Sequence, residues 1–229
     1  MVIIIITDSL GLPRNNPEIV KLEETYIELL RTDYKCDKIV NISFGGATIE
    51  ILSNQFFSYF SCINPDLIIV QSGIVDCAPR ALKQWENKVL QSSSILRSVY
   101  NSVIKKHTKK LRAKRNITYT SIHKFENICN KFYEAYKNKV YWIGIAPASK
   151  EYEFNLPGIA LNIRNYNNVL KNVFQNNFLD ISNISMDCLM SDHHHINVSG
   201  HTYIYHKLKS IIDMESKLYV GLSNEEILE

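Results

Sequence analysis

The sequence predicts an α/β fold built on a buried, mainly parallel sheet, and three observations carry that expectation. An unbroken apolar run at residues 2–6 and short apolar-rich runs at 38–42, 67–71 and 140–145 read as strands, the first as one covered on both faces. Between them, apolar residues return at helical spacing, the alternation that builds a parallel sheet. Three of the runs also end in turns rich in glycine and polar residues: Asp8-Ser9-Leu10-Gly11, Ser43-Phe44-Gly45-Gly46 and Ser72-Gly73 onward. Open α/β sheets bind ligands at the carboxyl ends of their strands, so three such ends can line one crevice.

The 229 residues suffice for one domain, 1–229, with 45% hydrophobic and 21% charged residues. A net charge of +3 does not mark a nucleic-acid binder. The five cysteines, Cys36, Cys62, Cys77, Cys129 and Cys188, are odd in number and scattered, without a Cys-x-x-Cys pair. That pattern speaks against a disulfide scaffold or thiolate zinc site and for a reducing compartment. No leader or membrane-length apolar run is visible, so the expected location is the cytoplasm, with peripheral membrane association left open.

Taken in order, the strand at 2–6 meets Asp8, Ser9, Gly11 and Pro13, all turn formers. Residues 17–31 carry Ile19, Leu22, Tyr26, Leu29 and Leu30 at helical spacing, with Asn16 as cap and Pro17 at the first helical position. The second strand, 38–42, leads through Gly45-Gly46 into a helix at about 48–60; there an exposed backbone N–H can donate to a substrate oxygen. The third strand, Leu67–Gln71, ends at Ser72-Gly73-Ile74-Val75-Asp76-Cys77-Ala78-Pro79-Arg80.

Residues 80–115 look helical, with Leu96, Val99, Tyr100, Val103 and His107 on one side. Together with a helix at Ile122–Tyr136, whose Ile122, Phe125, Ile128, Phe132 and Tyr136 read as core, they form a helical insertion at about 80–137. The stretch Lys105–Arg115 is strongly basic. It is either a solvated helix end whose cations suit the dipole, or a patch facing an anionic glycan, lipid phosphate or membrane surface. A fourth strand at 140–145, a helix at 161–174, a short strand near 178–180, an Asp-x-x-His stretch and a helix at 201–212 complete the chain. The tail from Met214, with Leu218-Tyr219-Val220-Gly221 and an acidic end, either packs on the body or frays.

The chemistry concentrates at Ser9, Asp192 and His195. A serine hydroxyl needs a base to take its proton and a third group to orient that base. His195 supplies an imidazole, and Asp192, three residues earlier, a carboxylate that a turn can bring back onto one ring nitrogen. Cys77 reads as a small buried thiol. The His193-His194-His195 run suggests a metal, but consecutive side chains are expected to diverge and no second ligand cluster is evident, so no metal is expected. Arg14 and Arg80 either bind a substrate carboxylate or phosphate or pin a loop.

These residues carry a resemblance. Thr7-Asp8-Ser9-Leu10 is similar to the Gly-Asp-Ser-Leu block of the SGNH (GDSL-type) hydrolase superfamily, and Asn41 to Thr48 resembles its second, glycine-bearing block. Gly73-Ile74-Val75-Asp76 stands where its Gly-x-Asn-Asp block belongs, and Asp192 to His195, trailed by Asn197, Gly200 and His201, resembles its final block. The resemblance implies a flavodoxin-like three-layer α/β/α sandwich and ester hydrolysis or acyl transfer without a cofactor. It implies Ser9 as nucleophile, His195 as base, Asp192 as its orienting partner, and the Ser9 and Gly46 N–H groups as the oxyanion hole. Arg14, Asp76 and Arg80 are the expected substrate-binding residues.

The chain departs from the pattern at Thr7, where glycine is usual, and at Val75, where the oxyanion asparagine would stand. Losing such a donor typically costs about 10²–10³ in rate. Residues 73–80 also resemble a variant block of SGNH-like proteins associated with bacterial surface-polysaccharide biosynthesis. The expected function is therefore removal of O-acyl groups, O-acetyl in particular, from a carbohydrate or polysaccharide precursor. A sugar O-acyltransferase using the same serine and a non-catalytic glycan-binding protein are the alternatives.

Overall fold

The computed structural model describes residues 1–225, without the side chains of Ile95, Leu96, Val99, Asn101, Val103 and residues 218–225. Five parallel strands make one sheet: β1 (Val2–Thr7), β2 (Lys38–Ser43), β3 (Leu67–Gln71), β4 (Val140–Ile143) and β5 (Phe178–Leu179). Their spatial order is β2-β1-β3-β4-β5, so the chain reverses direction across the sheet between β1 and β3. That reversal point is where a doubly wound sheet opens a crevice. The structure thus has the three-layer α/β/α sandwich with a mainly parallel sheet.

The strand sequences explain the layers. Ile3, Ile4, Ile5 and Ile6 are all fully buried, alternately facing the two sides of the sheet. Burying one such side chain stabilises by about 1.5–3 kcal/mol. On one face Ile4 and Ile6 pack with α2 (Ile49–Gln55), α7 (Ile122–Tyr136) and α9 (Ile159–Phe174), around Phe56, Phe125, Phe132 and Trp142. On the other, Ile3 and Ile5 pack with α1 (Tyr26–Asp33) and α10 (Val198–Glu225) through Ile27, Leu30, Ile204 and Leu208. The remaining helices are α3 (Ile74–Cys77), α4 (Gln84–Gln91), α5 (Ser94–Val99), α6 (Lys105–Arg115) and α8 (Lys150–Asn155).

Several expectations are corrected. The helix expected over 17–31 begins only at Tyr26, where the Thr25 hydroxyl accepts the Glu28 N–H. Before it the chain folds back on itself, Arg14 and Val20 exchanging both backbone hydrogen bonds at 2.9 Å, and the Asn16–Pro17 bond is cis. Ile19 and Leu22 are exposed, so their helical spacing reflected no buried face. The last helix, expected over 201–212, starts at Val198 and runs to Glu225, so the segment from Met214 continues it. The side chains of Leu218, Tyr219, Val220 and Gly221, and residues 226–229, lie outside the described residues, as do the side chains of Leu96, Val99 and Val103.

The helical insertion is more than a pair. Its final member, α7, belongs to the core layer, with Phe125, Cys129 and Phe132 buried and Ile122 exposed. What stands outside the layer is α4 to α6. Among the described residues no helix is long and apolar enough to cross a membrane.

Candidate active site

At the carboxyl end of β1 the chain tightens into a single 3-10 turn, Ser9–Gly11, capped by the Asp8 side chain, which accepts the Leu10 N–H at 2.9 Å. The turn lifts Ser9 out of the sheet into partial exposure. Arg14 holds it from behind, its Nη2 donating to the Ser9 carbonyl at 2.7 Å.

The second component comes from the loop before α10. Asp192 accepts the His194 and His195 backbone N–H groups on Oδ1, at 3.2 and 3.0 Å, and faces the His195 ring with Oδ2, 2.6 Å from Nδ1. An ionised carboxylate only accepts, so the proton of neutral His195 sits on Nδ1 and Nε2 is free to accept. That nitrogen lies 2.9 Å from Ser9 Oγ, across 186 positions of chain. Burial alone would raise the Asp192 carboxyl, but the hydrogen bonds from the His195 ring and backbone outweigh it, holding it well below the usual carboxylate range. The loop is fixed at both ends: Met190 N–H donates to the His195 carbonyl at 2.7 Å, and Asn197 Oδ1 accepts the Gly200 N–H at 3.1 Å, at the start of α10.

The third component is the turn after β2. Phe44 N–H donates to the Thr7 carbonyl at 3.0 Å, docking this turn beside Ser9. Gly46 takes φ +71, a left-handed conformation that side chains disfavour, although open space surrounds the position of a Cβ. Its N–H finds no acceptor among the described residues. Ser9, Gly46, Val75, Arg14, Arg80 and His195 line one crevice of about 460 Å³.

The sequence-expected residues therefore divide. Ser9, His195, Asp192 and Gly46 are brought together. Arg14 lines the crevice while pinning the serine turn, and Arg80 lines it with Nη2 on the Val75 carbonyl at 3.1 Å and its guanidinium over Tyr119. Asp76 is a correction: it lies beneath the crevice and not on its wall. It is fully buried; its carboxylate takes the Ile49 N–H on both oxygens at 3.1 Å and the Thr120 hydroxyl. Burial pushes its carboxyl up to about 6, with those bonds pulling the other way. Val75 lies on the crevice wall, so the departure at this position faces the reacting centre.

The histidine run is also corrected in part. The rings of His194 and His195 lie 4.0 Å apart rather than diverging, and Asp192, His194 and His195 offer ligand atoms within 4.8 Å of one another. Three of their four ring nitrogens are already engaged: those of His195 by Ser9 and Asp192, and His194 Nδ1 by the Asp192 carbonyl at 3.0 Å. The cluster is accounted for by these bonds. His194 stacks on Tyr152, and burial chiefly, with His195 beside it, lowers its pKa. Cys77 is buried, and burial pushes its thiol far above the ordinary range.

Sequence reasoning missed Tyr119 and Thr120 as parts of the site's wall and footing, and did not single out Arg112 or Tyr152, which lie beside His194 in an adjoining cavity. Only the basic run hinted at Arg112; the others carry no local signal.

No family model and no curated protein matches this chain by sequence. Solved structures do match in fold. A lipase/acylhydrolase from Enterococcus faecalis superimposes with a TM-score of 0.64 at 12% identity, over 94% of this chain and 96% of that one. An acetyl xylan esterase, AlAXEase, gives 0.60 at 17% identity, over 93% and 100%. An acetylxylan esterase from Geobacillus stearothermophilus gives 0.56 at 14% identity, over 90% and 91%. At these identities the likeness establishes the fold along nearly the whole chain.

Proposed function

We propose that this chain is a serine esterase of the SGNH type that removes O-acyl groups, O-acetyl above all, from a carbohydrate. The observation that carries the proposal is the line of contacts from Ser9 Oγ to His195 Nε2 at 2.9 Å and from His195 Nδ1 to Asp192 Oδ2 at 2.6 Å. It is an oriented base against a hydroxyl at the mouth of a crevice.

In this scheme Ser9 Oγ attacks the acyl carbonyl carbon as its proton passes to His195 Nε2. The carbonyl oxygen becomes an oxyanion that the Ser9 and Gly46 N–H groups receive. Collapse breaks the bond to the sugar oxygen, which takes the proton back from His195 and leaves. Water, giving a proton to His195, then attacks the acyl-serine; the acid departs and Ser9 is restored. Asp192 keeps the ring in its productive tautomer and offsets the imidazolium charge.

A carbohydrate substrate is supported by neighbours described as acetyl xylan esterases and by the likeness of residues 73–80 to the surface-polysaccharide variant. The same likeness favours a polysaccharide precursor handled in the cytoplasm. The test is acetate release from O-acetylated monosaccharides and from 4-nitrophenyl acetate, by wild type and Ser9→Ala. The expected loss in the variant is about 10³-fold or more. Equal turnover by the two proteins would remove Ser9 from the reaction.

A further inference from the structure

A second cavity of about 460 Å³ adjoins the crevice, sharing Val75, Arg80 and His194 with it. Its far wall carries Arg112, brought from α6. Several other arginines are engaged: Arg115 pairs with Glu86 at 2.7 Å, Arg31 pairs with Glu28, Arg14 donates to the Ser9 carbonyl and Arg97 to that of Gln91, while Arg164 stands exposed to solvent. Arg80 and Arg112 differ. Neither meets a carboxylate, and each has a buried Nε without a hydrogen-bond partner. The Arg112 side chain makes no hydrogen bond among the described residues.

Leaving two half-buried guanidiniums side by side costs free energy, because each is desolvated and each repels the other. The cost shows in Arg112, whose pKa is lowered by burial first and by Arg80 next. The carboxylates of this cavity do not relieve it. Asp192 is taken up by His195, and Glu151 stands exposed, 3.8 Å from His193. A planar guanidinium pair with free N–H donors matches the oxygens of a carboxylate or phosphate.

We infer that Arg80 and Arg112 form an anion subsite beside the serine, and that the ester substrate carries a carboxylate or phosphate group on the same molecule. The inference deepens the proposed esterase function and, for its substrate arm, rests on it. The acyl group then lies at Ser9 while the anion is held one cavity away, which selects acidic acylated sugars over neutral ones. The basic character of Lys105–Arg115 gains a specific element, since Arg112 of that run lines the cavity.

The test compares kcat/KM for O-acetylated glucuronic acid, O-acetylated glucose 6-phosphate and O-acetylated glucose. Wild type is expected to prefer one acidic ester to the neutral one, and the preferred arm tells carboxylate from phosphate. Arg112→Gln should cut that preference about tenfold or more, and Arg112→Lys less, because charge persists without the fork. Lys35→Gln, in the exposed loop before β2 and at the opposite end of the sheet, should leave it unchanged.

Direct binding of glucuronate and of inorganic phosphate to Ser9→Ala protein, by calorimetry, separates the two proposals. If no ester is turned over but an anion binds and Arg112→Gln abolishes it, the subsite stands and the esterase reading falls. If esters are cleaved without acidic preference and neither anion binds, the subsite falls and the esterase reading stands. Should Arg112→Gln not fold, the Arg112→Lys series and wild-type anion binding decide in the same way.

Discussion

The Asp76 carboxylate receives the Ile49 N–H on both of its oxygens at 3.1 Å, joining α3, which follows β3, to the first turn of α2. The Gly46 turn leads directly into α2, so this buried pair holds one expected oxyanion donor against α3, the short helix that carries Val75. Replacing Asp76 by Ala strands the Ile49 N–H and the Thr120 hydroxyl. A loss of about 2–4 kcal/mol in urea unfolding is expected. Asp76→Asn keeps one acceptor and should cost less; equal losses would deny the carboxylate this role.

Val75 puts an apolar side chain where a third oxyanion donor would act. Val75→Asn supplies that donor on the crevice wall. The expected result is a rise in kcat of about 10–100-fold with little change in KM, since the new bond forms only with the charged intermediate. An unchanged or lower kcat in folded protein would show that another group already fills the place.

In the proposed mechanism Asp192 acts through the ring it orients. Asp192→Asn leaves the loop's size intact but removes the acceptor that fixes the Nδ1 proton of His195. It should lower kcat about 10²–10⁴-fold with KM little altered. A change confined to KM would assign Asp192 to substrate binding instead.

Asp8, beneath the serine, is fully buried, and burial above all pushes its carboxyl up to about 7, with the Asp76 charge adding and the Leu10 N–H and Arg14 opposing. Its ordinary value is 3.8. Between about pH 4 and 7 the folded chain therefore holds a proton the unfolded chain has lost, and this group's effect is to lower stability as pH rises. Asp8→Asn is uncharged throughout. Relative to that variant, wild type should lose up to about 4 kcal/mol between pH 4 and 8. His201, pulled down to about 4 chiefly by burial, acts in the opposite direction but is common to both proteins and cancels. Parallel stability profiles would show that Asp8 is ionised in the fold at low pH.

Local signals in the sequence located much of this. Leu67–Gln71 and Ile122–Tyr136 form where their apolar spacing puts them, the strand buried throughout and the helix burying Phe125, Cys129 and Phe132. Ser9, Gly46, Asp192 and His195 were legible as motif residues at strand ends and before the last helix. Residues 17–25 were not, because Ile19 and Leu22 mimic a buried stripe while staying exposed, and the stop at Thr25 is one hydroxyl cap. Asp76 was misread because its partners lie 27 and 44 positions away, beyond any local pattern. Arg112 was hidden among the cations of its own helix and is distinguished only by the cavity it enters.

The reach of His195 to Ser9 is tested most directly by treating the protein with a fluorophosphonate and weighing it intact, alongside Ser9→Ala and His195→Ala. A single adduct on wild type, absent from both variants, is the expected result. No adduct on folded wild type, or an adduct that persists in Ser9→Ala, would contradict an activated serine at this position.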